Sequence, residues 1–253
     1  MKKINVFIIW AIITLMVSVN AFGMHIAEGF LPKEWCIGWD IVALPFMIYG
    51  YISIKKTVEN NPKIKLILAM AGAFIFVLSA LKIPSFNGSC SHPTGIGLGA
   101  ILFGPGVTCL LGLIVLIFQA LLLAHGGIST LGANVFSMAI VGSFTAWGVY
   151  KISRKLNIST EISIFLGAFL GDLLTYVVTS IQLAVCYPSE VGGIFASFIK
   201  FAGVFAVTQL PLAISEGILT VVIFRGISKY FGEEISYLGF INENKGARIW
   251  KRT

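Results

Sequence analysis

Apolar runs near 39–54, 66–83, 106–124, 131–150, 162–183 and 206–225 alternate along the chain with polar stretches and with breaks that carry glycine or proline. Runs of this kind predict helices that cross about 30 Å of hydrocarbon at roughly 20 residues each. Basic residues decide which ends face the cytoplasm, because short cytoplasmic loops retain Lys and Arg. Three clusters occur: Lys55, Lys56, Lys63 and Lys65; Lys151, Arg154 and Lys155; and Arg225 and Lys229 followed by Lys245, Arg248, Lys251 and Arg252. Placing all three inside puts residue 24 and the stretch around His92 outside, and demands an odd number of crossings between His92 and Lys151. The two runs 96–124 and 131–150 would give an even number. The first must therefore be interrupted, and Gly104-Pro105-Gly106 is the natural break. The chain beyond residue 23 is expected to be all-α and polytopic, with about seven transmembrane helices.

Two segments fit this scheme awkwardly. Residues 95–104 are too few to cross as a helix unless the preceding Ser-Cys-Ser-His-Pro-Thr already lies at membrane depth. Irregular backbone is tolerated there only inside protein or beside a cavity, so His92 is expected in a lined pocket that faces outward. Residues 191–228 are too long for one span, yet parity forbids two; the expectation is an interfacial first part and a kink or break at Pro211. Gly95, Gly97, Gly99 and Ala100 form a small-residue face on which a partner helix could approach closely.

Composition agrees with the pattern. Of 253 residues, 57% are hydrophobic and 11% charged, against about 25% charged in an ordinary globular domain, which excludes both a soluble fold and a disordered chain. A soluble catalytic domain has no room. The formal charge of +7 resides in the loop clusters, so nucleic acid is not indicated as a partner. The four cysteines form no CxxC and no disulfide framework. Residues 1–23 have the form of a signal peptide, with Lys2 and Lys3 ahead of an apolar run from Ile4 to Val19 and small residues at Ala21 and Gly23. Cleavage after Gly23 makes Met24 the new amino terminus; an uncleaved first helix is the alternative.

The chain has three histidines. His25 would be the second residue of the mature protein. An amino terminus followed by histidine offers the α-amine, the backbone nitrogen of His25 and its imidazole Nδ1, which close a five- and a six-membered ring around one divalent ion. The α-amine ionises near 7.7–8.0, so freeing its lone pair at neutral pH costs only about 1 kcal/mol. Such nitrogen donors suit cobalt, nickel or copper, not magnesium or calcium. His92, in SCSHPTGIGLG, is the best fourth donor, since topology places it on the same side as Met24; its plain alternative is a loop histidine bonded to backbone. His125, in LLLAHGGISTLGAN, ranks lower, because a histidine there readily caps a helix end. Cys90 stands two positions from His92 and is either a ligand or an inert thiol. Glu28 is either an acceptor that holds the histidine in place or a surface ion-pair partner.

Asp172, Gln182, Gln209 and Glu216 interrupt apolar runs, where interhelical hydrogen bonding is favoured over an ion path. No G-x-x-x-x-G-K-[ST] and no H-E-x-x-H occurs, so no P-loop ATPase and no zincin chemistry is encoded. No catalytic residue and no resident cofactor is named.

Four segments, MHIAEGFLP at 24–32, SCSHPTGIGLGAILFGPG at 89–106, AHGGISTLGANVFSMAIVG at 124–142 and TQLPLAISEGILTV at 208–221, resemble the CbiM family, from Met24 to about Lys229. These are the substrate-binding S components of cobalt transporters of the energy-coupling-factor (ECF) class. The resemblance implies a seven-helix membrane protein of the cell membrane, with mature N-terminus outside and C-terminus cytoplasmic. It further implies capture of Co²⁺ at the outer face for cobalamin synthesis, and partners in the coupling protein CbiQ, the ATPase CbiO and the small membrane protein CbiN. The family's ligands map onto Met24, His25 and His92. The expected organisation is a signal peptide at 1–23, a metal-binding S component at 24–229 and a basic tail at 230–253. Three alternatives stay open: a nickel S component of the same class, an intramembrane metalloenzyme using the same histidines, and a gradient-driven secondary transporter.

Overall fold

The computed structural model describes residues 22–23, 25–84 and 89–238. Six helices are long and apolar enough to cross a membrane: α1 (Lys33–Asn60), α2 (Lys65–Ser79, extended backward by a 3-10 turn at Pro62–Ile64), α4 (Pro105–Leu123), α5 (Leu131–Lys155), α6 (Thr160–Cys186) and α7 (Gly193–Tyr230). A short α3 (Ile96–Phe103) precedes α4, and α8 (Gly232–Tyr237) follows α7. The seven expected helices are thus six full spans plus one half-length helix. Leu121, Leu122, Val207 and Ile218 lie exposed on helix faces, where a soluble protein would carry charge, and they suit a lipid environment.

The break between α3 and α4 falls where the sequence places it. Gly104 has φ +83°, a left-handed conformation that turns the chain, and Pro105 opens α4, where its missing N–H costs nothing. With 8 residues, α3 rises only about 12 Å. The residues before it, Ser91 through Gly95, are buried, so the irregular stretch does occupy the interior of the bundle.

Two expectations are corrected. The glycine face of α3 serves the protein's own helices, not a partner: a Cβ on Gly97 would stand 2.7 Å from the Cα of Ala168 on α6, and one on Gly99 would meet Thr108 at 3.0 Å. Gly95 also needs glycine for its backbone, at φ +71°. The second correction concerns α7, which runs unbroken for 38 residues through Pro211. At about 57 Å it is longer than the hydrocarbon is thick, and the chain does not break at Pro211 into two elements.

Three buried clusters fill the bundle among the described residues. One gathers Ile26, Leu31, Ile96, Val115, Met138 and Tyr176; the second gathers Ile67, Leu98, Ile101, Ile164, Phe224 and Ile235; a small third gathers Ile64, Leu68 and Val107. Ile235 of α8 is fully buried in the second. Within α5, residues Val135–Gly142 form a π-helical stretch, which loosens the bonding ladder, and the Ala139 carbonyl accepts a hydrogen bond from the Cys109 thiol at 3.2 Å. A small sheet lies at one end of the bundle in the order β1-β3-β2, with β1 (Phe22–Gly23) parallel to β3 (Ser89–Ser91) and β2 (Ile83–Pro84) antiparallel to it. This sheet carries His92 on the residue after β3.

Candidate metal centre

The segment from His25 to Pro32 crosses the same end of the bundle as a strap and is fastened to the loop between α4 and α5. Asn134 on α5 grips Ile26 twice: its Oδ1 accepts the backbone N–H at 2.7 Å, and its Nδ2 donates to the carbonyl at 3.0 Å. The Thr130 hydroxyl donates to the same carbonyl at 2.6 Å. Further along, the Glu28 carboxylate accepts the Ser129 N–H at 3.1 Å, and the Gly29 N–H donates to the Ser129 hydroxyl at 3.1 Å. Those bonds from Ser129 hold Glu28 below the usual carboxylate range. Gly127 lets the strap pass, since a Cβ there would lie 2.5 Å from the Glu28 Cα.

His25, fixed by this strap, meets His92 and His125 in the interior. His25 Nδ1 and His92 Nε2 are 2.9 Å apart. The His25 ring stacks on His125 at 4.5 Å between centroids and tilts against His92 at 4.6 Å. One ligand-capable atom from each of the three histidines lies within 4.8 Å of the others. All three are buried, at 0–3% exposure. Burial, reinforced by His125 and His92, holds His25 well below the ordinary histidine range; burial alone dominates for His92, lowered to about 4, and for His125, lowered to about 3. Neutral imidazoles with available lone pairs are the form that binds a metal.

The backbone of His92 is held as firmly as its ring. Tyr176 on α6 accepts the His92 N–H at 3.0 Å and returns its own proton to the His92 carbonyl at 2.8 Å. Gln209 on α7 donates to that carbonyl at 3.4 Å and to the Asp172 carboxylate. Glu216, also on α7, accepts the Thr94 N–H at 2.5 Å and the Thr94 hydroxyl at 3.1 Å. Asp172 and Gln209 thus form the interhelical bond expected of them, as does Gln182, which donates to the Ala133 carbonyl at 3.1 Å, whereas Glu216 bonds the irregular stretch ahead of α3.

Of the residues singled out from sequence, His25, His92 and His125 come together. Glu28 fastens the strap to Ser129 instead of reaching a histidine. Met24 and the side chain of Cys90 lie outside the described residues. His125 directly follows the left-handed Ala124 that ends α4, so it occupies a helix end and the histidine cluster at once. Asn134, Thr130, Tyr176 and Gln119 escape the sequence reading. The first two sit four apart in the quoted STLGAN stretch, and Gln119 is a lone amide in the apolar α4; these were usable signals. Tyr176 carried none, since an aromatic residue in a membrane helix is commonplace.

A family model described as CbiM, cobalt uptake substrate-specific transmembrane region, matches residues 25–233. The chain belongs to the CbiM family. The match begins at His25 and takes in all three histidines. A cobalt transport protein CbiM of Clostridium cellulovorans is 57% identical over 247 residues, which cover 98% of this chain and 94% of the relative. One from Moorella thermoacetica is 61% identical over 221 residues, 87% of this chain and 85% of the relative. Among solved structures, a transition metal transporter matches with a TM-score of 0.71 and 24% identity, over 88% of this chain and 100% of that one. A truncated transition metal transporter gives 0.69 over 81% and 99%. At 24% identity this likeness concerns the fold. CbiM proteins form a transport family, so the chain is a multi-pass transport component and not an enzyme.

Proposed function

We propose that this protein captures cobalt(II) at the outer face of the cell membrane, as the S component of an ECF-type importer that supplies cobalamin synthesis. The single observation that carries the reading is the 2.9 Å approach of His25 Nδ1 to His92 Nε2 inside a buried histidine cluster next to residue 24. Metal-to-nitrogen bonds of about 2.0–2.1 Å place neighbouring corners of a square about 2.9 Å apart, against about 3.3 Å for a tetrahedron. The spacing supports a planar chelate of the Met24 amine, the His25 backbone nitrogen and His25 Nδ1, closed by His92 Nε2. His125 stacks over His25 and shields the open face.

The chelate requires cleavage after Gly23, with the new N-terminus outside and the C-terminus in the cytoplasm. That orientation agrees with Lys63 between α1 and α2, Lys65 at the start of α2, Arg154 and Lys155 at the end of α5 and Lys229 at the end of α7. Residues 24–229 form the capture unit and 230–253 the basic tail. The chain carries no P-loop, so hydrolysis belongs to separate subunits, CbiO acting through CbiQ, with CbiN as accessory. A nickel reading is favoured by the planar nitrogen set, since nickel binds such donors more tightly than cobalt.

Mass determination of the mature chain and Co²⁺ calorimetry test the proposal. A mass beginning at Met24 and high-affinity binding are expected, with binding abolished in His25→Ala and in a variant with one residue added ahead of Met24. Undiminished binding in both variants would overturn the chelate. Competition with Ni²⁺ decides between the metals.

A further inference from the structure

His125 is presented by a helix end that is tied down on several sides. Gln119 Nε2, in the last turns of α4, donates to the Ser79 hydroxyl at 2.7 Å and to the Phe76 carbonyl at 3.2 Å, which fastens this end of α4 to α2. Ala124 then turns left-handed at φ +46°, and the His125 N–H closes back onto the Gln119 carbonyl at 3.1 Å. Gly126, at φ +80°, passes against the strap, where a Cβ would stand 3.3 Å from the His25 Cβ. The His125 ring is thereby laid over the His25 ring, 4.5 Å between centroids and 29° from parallel, and meets His92 edge-on at 4.9 Å and 65°.

A chelate through the backbone nitrogen and Nδ1 of His25 holds the His25 imidazole in its own plane, because the six-membered ring fuses the two. His92 takes a further corner of that plane. A ring stacked on His25 therefore lies over a face of the plane and not within it, so the position open to its nitrogen is axial. One ligand-capable atom of His125 stands within 4.8 Å of those of both other histidines. Its Nε2 is buried and has no hydrogen-bond partner among the described residues, so no hydrogen bond from that nitrogen opposes a turn of the ring toward an ion below it. A phenyl ring would cover the chelate equally well without burying an unpaired nitrogen, so shielding alone does not account for a histidine here.

We infer that His125 supplies a fifth, axial nitrogen to the captured ion and so tips selection from nickel toward cobalt. The inference rests on the planar chelate proposed above and deepens it. Donor strength alone ranks nickel ahead of cobalt. In a square of four nitrogens, however, low-spin Ni²⁺ keeps a filled orbital along the axis, which repels a fifth donor. Co²⁺ has one electron fewer, that orbital is half-filled, and an axial nitrogen bonds. A donor held above the plane thus adds to the affinity for cobalt and adds little for nickel.

The full-length, processed protein, loaded with Co²⁺ under argon, reports the axial nitrogen directly by electron paramagnetic resonance. The unpaired electron of low-spin Co²⁺ lies in the axial orbital, so one axial ¹⁴N is expected to split the cobalt lines into triplets, which become doublets after labelling with ¹⁵N-histidine. Bound Co²⁺ without these splittings would overturn the inference and leave the chelate standing; failure of the wild type to bind Co²⁺ would overturn the proposed function instead. His125→Phe keeps a ring over His25 and removes both nitrogens. It is expected to lose the splitting and to weaken Co²⁺ binding about 10–100-fold, while Ni²⁺ affinity stays within about threefold. Equal losses for the two metals would reduce His125 to a packing role and sink the inference, as would an unchanged Co²⁺ affinity.

Discussion

Asn134 does for Ile26 what a neighbouring strand would do, pairing with both its N–H and its carbonyl. Asn134→Leu leaves the buried N–H without its acceptor and should cost about 1–3 kcal/mol, seen as a lowered midpoint of thermal unfolding together with weaker Co²⁺ binding, because the adjacent His25 loses its anchor. Acidity acts on the same pocket. Unfolded histidines take up protons near 6.5, whereas His92 and His125 in the fold do so only at about 4 and about 3. Depressed folded values mean stability present above 6.5 and lost as pH falls toward 4. Metal affinity follows different groups: the chelate displaces one proton from the α-amine and one from the His25 amide, so between about pH 7 and 6 Co²⁺ affinity should fall roughly a hundredfold per unit, while the histidines stay neutral. Titrations at three pH values check this. His25 and His92 were legible in the sequence because donor chemistry and loop sidedness both selected them. Asn134 offered a signal of polarity four residues from Thr130, but an asparagine in a membrane helix does not announce which backbone it will grip.

At the scale of elements, the Gly104-Pro105-Gly106 break and the burial of the stretch before it followed from counting charged loops, a constraint imposed by the membrane. Pro211 misled because a proline in a spanning helix removes one bond without ending the helix when neighbouring helices support it. The glycines of α3 misled differently: sequence reveals that a face is small, not which helix uses it. Gly97→Val should therefore strain the contact with Ala168 and cost about 1–3 kcal/mol in thermal stability. Gly148→Ala, at a helical position with nothing within 4 Å, should leave stability unchanged or raise it by up to about 1 kcal/mol.

Across the whole molecule, Glu216 ties the mid-length of α7 to the turn that bears His92. Replacement by Gln keeps an acceptor for Thr94, so metal binding should survive. Glu216→Leu strands the Thr94 N–H and should lower both thermal stability, by about 1–3 kcal/mol, and metal affinity, as read by unfolding and calorimetry on the same preparations. The depth of the histidine cluster bears on time as well as on strength. With His25, His92 and His125 at 0–3% exposure, solvent has no direct route to a bound ion. An ion can leave only when the strap lifts from Ser129, Thr130 and Asn134, so the rate of escape is set by the chain and not by the metal–nitrogen bond. Cobalt and nickel should then depart on nearly the same clock despite unequal affinities, and a subunit loaded with the wrong metal would hold it for as long as the right one.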